Sequence, residues 1–154
     1  MSDALESLNG LIVPLAGQPW LLPNVAVAEL VGYRLSQPAV GGPAWLLGWT
    51  QWRDQRVPLL DPEVLLGQPG EEPTLPRTLI LNAVGGHAGL RFIAIRVRGI
   101  PRSKKVLRGE IETAGAAGAY GSQVVHLAGE ADTLLIPDLA AMEQALVDSG
   151  ALPA

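Results

Sequence analysis

The chain has 154 residues, enough to bury one substantial core or two small ones that lean on each other, and too few for a binding module fused to a separate enzyme. Hydrophobic types make up 48% and charged types 17%, which excludes a disordered chain. Cysteine is absent, so disulfides, thiolate metal sites and cysteine nucleophiles are excluded, and the net charge of −4 is poor for nucleic-acid binding.

The first residues, Met1 to Glu6, lack the positive and apolar regions of a signal peptide. No apolar run approaches the roughly 20 residues of a membrane span. A cytoplasmic protein with no direct membrane insertion is therefore expected. Eighteen Gly and thirteen Pro punctuate the chain and favour short strands joined by turns.

Leu8 to Ala16, a Gly17-Gln18-Pro19 turn and Trp20 to Leu22 predict a hairpin. Pro23 and Asn24 open a helical turn through Ala28, and Glu29-Leu30-Val31 returns to extended chain. After a loop from Ser36 to Pro43, Trp45 to Trp52 predicts a strand, Arg53 to Arg56 a polar turn, and Val57 to Leu60 a returning strand that Pro58 confines to an edge or a bulge. Asp61-Pro62-Glu63 ahead of Gly67 reads as a one-turn helix with a capping Asp, Pro at its first position and Gly past its end.

Gln68 to Pro76 is the best linker, with strands resuming at Thr78 to Val84 and Phe92 to Val97. Gly115 to Gly121 predicts a flexible loop, followed by strands near Gln123 to Leu127 and Thr133 to Ile136. Asp138 opens a closing helix, about 138–148, with Leu139, Met142 and Leu146 on one face. Both halves end on Leu-Leu, then Asp and Pro, then a short apolar helix, which suggests an internal repeat.

The order of landmarks Val27-Ala28-Glu29-Leu30, Leu46-Leu47-Gly48, Trp52-Arg53 and Val57-Pro58-Leu59-Leu60-Asp61 resembles CheW-like coupling proteins of bacterial chemosensory arrays. There a glutamate is followed by a Gly, an Asn-Leu-Arg-Gly turn and a Val-Pro-Val-Ile-Asp-Leu strand. The resemblance implies an all-β fold of two SH3-like five-stranded barrel lobes, about 8–67 and 77–136, in a single domain spanning 1–154. It implies a non-catalytic adaptor between the cytoplasmic tip of a methyl-accepting chemoreceptor and the regulatory domain of a CheA-type histidine kinase, with no cofactor. Carried over by position, Glu29, Gly48 and Arg53 resemble the receptor-binding residues.

Three departures stand out: Asp54 replaces the turn glycine, Arg96 occupies a position that is usually acidic, and Trp45, Trp49 and Trp52 crowd a normally aliphatic strand. The last two resemble adaptors of type IV pilus (twitching) systems.

Seven basic residues and no acidic one fall between Arg91 and Arg108, against four basic and fifteen acidic elsewhere. Alternation along Phe92 to Arg98 places Ile93, Ile95 and Val97 on one face and Arg96 and Arg98 on the other, facing water or a partner. Trp52, Arg96, Arg98, Arg102, Lys104 and Lys105 are thus candidate partner contacts beside the plainer reading of a solvated basic face. The alternative function is a β-barrel binder of nucleic acid or an anionic ligand through 91–108. His87 and His126 form no ligand motif, and no phosphate loop or nucleophile elbow occurs, so neither a metal site nor catalytic residues are expected.

Overall fold

The computed structural model describes residues 7–68, 71–115 and 120–150, so part of the linker and most of the loop after Gly115 lie outside the described residues. In chain order the elements are β1 (Ser7–Val13), β2 (Trp20–Pro23), β3 (Val27–Gly32), β4 (Gln37–Pro38), β5 (Leu46–Trp52), β6 (Gln55–Leu60), α1 (Pro62–Leu65), β7 (Arg77–Asn82), β8 (Phe92–Val97), β9 (Arg102–Leu107), β10 (Ile111–Gly115), β11 (Gly121–Leu127), β12 (Leu134–Pro137) and α2 (Leu139–Asp148). The fold is mostly β, as expected, in two six-stranded sheets rather than five-stranded ones. Their orders are β10-β11-β12-β2-β1-β9 and β3-β7-β8-β6-β5-β4.

Sheet membership does not follow the expected boundary at 68–76. The second sheet is one continuous stretch, β3 to β8, while the first is assembled from both ends of the chain. The Gly-, Glu- and Pro-rich segment only connects β6 to β7 within one sheet. Composition marks a turn, but cannot say which sheet the next strand joins.

The suggested repeat is present as topology. In each sheet the strand leading into a helix runs parallel to one neighbour, β6 to β8 and β12 to β2. Asp61 caps α1 through the amides of Glu63 and Val64, and Asp138 caps α2 through that of Ala141.

Three apolar clusters account for the packing. Val13, Trp20, Leu22 and Leu135 of one sheet meet Leu60, Leu79, Leu81, Ile93, Ile95 and Val97 of the other, with Met142 and Leu146 of α2, along a shared seam. Each sheet also encloses its own cluster: Ile12, Leu21, Val106, Val125, Leu127 and Leu134 in one, Trp52, Val57, Leu59, Ile80 and Ala94 in the other. Strands β7 and β8, buried on both faces, carry no solvent face for a sequence pattern to report.

That arrangement corrects the reading of β8. Arg96 is only 8% exposed and its Nη2 donates to Asp61 Oδ2 at 2.9 Å. Its guanidinium carbon lies 5.8 Å from the Tyr33 ring centre. Arg98 grips Glu63 through Nε and Nη2, at 2.7 and 2.8 Å. Strand parity was right; the face opposite Ile93, Ile95 and Val97 is simply the other buried face.

Of the two expectations for Pro58 the edge fails, because β6 is an interior strand between β5 and β8, while a bulge does interrupt the β5–β6 ladder between Leu46 and Gly48, beside the Trp49–Pro58 pair. The parallel ladder to β8 involves Leu59 and Leu60 only, so Pro58 lies just before it, where no backbone N–H is required. The basic run Arg102–Leu107 is an edge strand paired with β1. Charged residues on an edge strand discourage pairing with other chains.

Candidate functional site

The β5–β6 hairpin projects the centre of the site. Trp52 pairs with Gln55, leaving Arg53 and Asp54 as a two-residue connection with φ of 47° and 61°. Two positive φ values define the primed turn whose twist matches the flanking strands. Asp54 therefore reproduces what a glycine would do here, at a conformational cost that Asp bears better than most residues. Asp54→Gly is expected to raise stability by about 0.5–1 kcal/mol, read as an increase in the denaturation midpoint at unchanged m-value.

Arg53 is locked on two sides. A bulge in the β3–β7 ladder falls between Val27 and Glu29 and re-aims the chain at the glutamate. Glu29 Oε1 accepts from Trp52 Nε1 at 2.8 Å and from Arg53 Nη2 at 3.3 Å. The Arg53 guanidinium also lies over the Trp52 ring, 4.8 Å from its centre. The Trp52 body in turn meets Phe92 edge-on at 4.7 Å, which seats it in the cluster enclosed by the second sheet.

The Arg53 side chain nonetheless keeps 68% of its surface in water, so its ion pair contributes only about 0–1 kcal/mol to stability. The arrangement orders an exposed cation.

Gly48 is buried and presents no surface of its own. Its φ is +147°, and a Cβ there would run into the backbone of Gln37, Pro38 and Ala39. Glycine at this point lets β4 approach β5, where Pro38 pairs with Gly48. Trp49 carries the Arg56 guanidinium 4.2 Å above its ring, and Trp45 packs against the shared seam.

The basic segment is dispersed by the fold. Arg96 and Arg98 are held by the carboxylates at the start of α1, and Arg102 Nη2 donates to Glu130 Oε1 at 2.8 Å. Lys105 is exposed on edge strand β9 and Lys104 is half-buried there, while the Arg108 side chain lies outside the described residues. His126 Nε2 lies 3.1 Å from the Glu130 carbonyl oxygen. Among the described residues, Arg91, just before β8, and Lys105, on β9 of the other sheet, stay exposed and do not form the continuous basic face that the anionic-ligand alternative requires.

Burial alone would push the Glu63 carboxyl up, but hydrogen bonds from Arg98 and the Ala16 amide, with the charges of Arg98 and Arg96, hold it below the ordinary value of 4.5. The unfolded chain therefore takes up this proton more readily than the folded one. The resulting stability is complete above the ordinary carboxylate range and is lost as pH falls through the lower, folded value. Melting curves at stepwise lower pH should show an acid loss of stability that Glu63→Gln makes shallower, while the same substitution lowers Tm near about pH 7.

A family model for the CheW-like domain matches residues 9–146. The chain belongs to the CheW-like domain family. Among solved structures it is similar to the scaffolding protein TtCheW from Thermoanaerobacter tengcongensis, with a TM-score of 0.70 and 15% identity over 84% of this chain and 88% of that one. No curated protein matches the sequence. CheW-like membership and the shared fold bear out the resemblance carried by the Glu29 to Asp61 landmarks, and membership supports a chemosensory adaptor role. Among the described residues no helix is long and apolar enough to cross a membrane.

Sequence reasoning named Trp52 as a candidate partner contact but not its bond to Glu29, and it missed Phe92. Trp52 Nε1 shares the Glu29 oxygen with Arg53, a contact foreshadowed only by their adjacency in the chain. Phe92 supports the tryptophan from β8, and nothing in the sequence announced that pairing.

Proposed function

We propose that this protein couples a chemoreceptor tip to a CheA-type histidine kinase, with the receptor docking on the hairpin tip formed by Glu29, Trp52 and Arg53. The supporting observation is the exposed Arg53 guanidinium, fixed by a carboxylate and an indole on a turn of two positive-φ residues. Backbone strain concentrated beside an ordered, solvent-facing cation is characteristic of recognition sites. Arginine fixed in this way meets a partner without further loss of side-chain freedom. The kinase regulatory domain, of similar fold, would engage the sheet assembled from the chain ends. The Arg96 and tryptophan departures from the usual pattern support placing the adaptor in a type IV pilus system.

Arg53→Glu should weaken binding of a receptor cytoplasmic fragment by about tenfold or more, because a repulsive charge replaces an anchor at the interface. Its melting temperature should stay close to that of the parent protein. Titration calorimetry and thermal melting check both. Failure of the unaltered protein to bind receptor fragment or kinase regulatory domain at tens of micromolar would sink the proposal, and a large fall in Tm would make Arg53 structural.

A further inference from the structure

Behind the hairpin tip the second sheet opens into a cleft of about 460 Å³ between the start of β6 and the approach to β8, lined by Gln55, Arg56, Pro58, Gly89, Arg91 and Phe92. Its origin lies in the ladder. The two strands are hydrogen-bonded in parallel at Leu59 with Ala94 and Leu60 with Ile95, and immediately before that Pro58 has no N–H to donate. The strands separate there. Arg56, three residues before Leu59, and Arg91, three before Ala94, both line this gap.

Both arginines are exposed. Arg53, Arg96, Arg98 and Arg102 each have a carboxylate partner, whereas no carboxylate among the described residues forms an ion pair with Arg56 or Arg91. Arg56 is nonetheless held in place by its stacking over Trp49, and the Arg91 backbone by the bond from the Ala83 amide to its carbonyl. Two cations lining one cleft repel each other until an anion lies between them. Pro58 and the half-buried Phe92 supply an apolar floor beneath them.

The geometry points to the Arg56–Arg91 cleft as a docking site for an acidic protein segment, one that places paired carboxylates on the two guanidiniums and an adjacent apolar side chain on the floor. Charge complementarity selects this occupant. Planar guanidiniums match carboxylates in bidentate geometry. A nucleic-acid strand is disfavoured by the net charge of −4 and by Phe92 being the one aromatic residue lining the cleft. The inference rests on the adaptor reading insofar as this segment belongs to the partner that docks at Arg53, since Trp52 and Phe92 link the two places through ring contact.

The test uses the full chain and a fluorescein-labelled synthetic peptide of alternating Glu-Glu-Leu units, followed by anisotropy at low and high salt. An oligonucleotide and a Lys-Lys-Leu peptide serve as comparisons. Arg91→Gln should weaken acidic-peptide binding several-fold, and Arg56→Gln with Arg91→Gln by about tenfold or more, with a steep loss of affinity in salt. Arg56→Lys, which keeps a charge near Trp49, guards against a folding defect and should bind better than Arg56→Gln. Equal binding by the double variant and the parent protein would overturn the inference, as would tighter binding of the oligonucleotide than of the acidic peptide. The adaptor reading fails separately: it falls if the unaltered protein does not bind a receptor fragment, whatever the peptide does.

Discussion

Arg96→Met is expected to cost about 3–5 kcal/mol of folding stability, the range for removing one partner of a buried ion pair. Arg96 is buried on β8, and its partner Asp61 is 3% exposed. Asp61 Oδ1 takes the amides of Glu63 and Val64, Oδ2 takes Arg96, and the Asp61 amide donates to the Trp45 carbonyl. Methionine fills the space but leaves Oδ2 buried without its cation. A domain with about 5–15 kcal/mol in total would feel that as a large fraction of its stability.

The double variant Arg96→Met with Asp61→Asn should recover part of the loss, since an amide keeps an oxygen for the cap and brings no uncompensated charge. Denaturant unfolding of the single and double variants measures this directly. A cost below about 1 kcal/mol for Arg96→Met would mean that water reaches the site and that Arg96 is free to meet a partner.

This arginine also shows where the sequence was legible and where it was not. Local chemistry was readable: the Asp61-Pro62 start and Gly67 end of α1, the β1–β2 hairpin around Gly17, and the α2 face bearing Met142 and Leu146 appear where the punctuation placed them. Hidden were properties that depend on distant strands. Alternation along β8 separated Ile95 from Arg96 correctly, yet could not say that Tyr33 and Asp61 would close over the arginine. The lobe boundary was displaced for the same reason, because β1 and β2 join a sheet whose other strands begin at Arg102. At the site, Glu29 and Arg53 were named from the family resemblance and do meet, whereas Gly48 lies under β4.

Glu143→Ala is the second substitution of large expected effect, at about 2–4 kcal/mol, because it removes two charge-assisted hydrogen bonds from a fully buried carboxylate. Glu143 on α2 accepts from the Val84 amide at 2.7 Å and the Gly85 amide at 2.8 Å, in the loop that joins β7 to β8. The helix follows a strand of one sheet, and the loop belongs to the other. Glu63 on α1 mirrors this contact: it follows β6 of the second sheet and accepts from the Ala16 amide, in the turn joining β1 to β2 of the first. Each helix thus carries a buried glutamate that holds the hairpin loop of the opposite sheet, and the two clamps close the shared seam from both ends. Glu143→Gln retains one acceptor oxygen and should lose about half as much stability as alanine. Hydrogen exchange distinguishes this from general loosening, since protection at Val84 and Gly85 should fall before that of the β7 amides. Unchanged exchange at those two amides, with under about 0.5 kcal/mol lost in the alanine variant, would show that the seam is held by its apolar side chains alone.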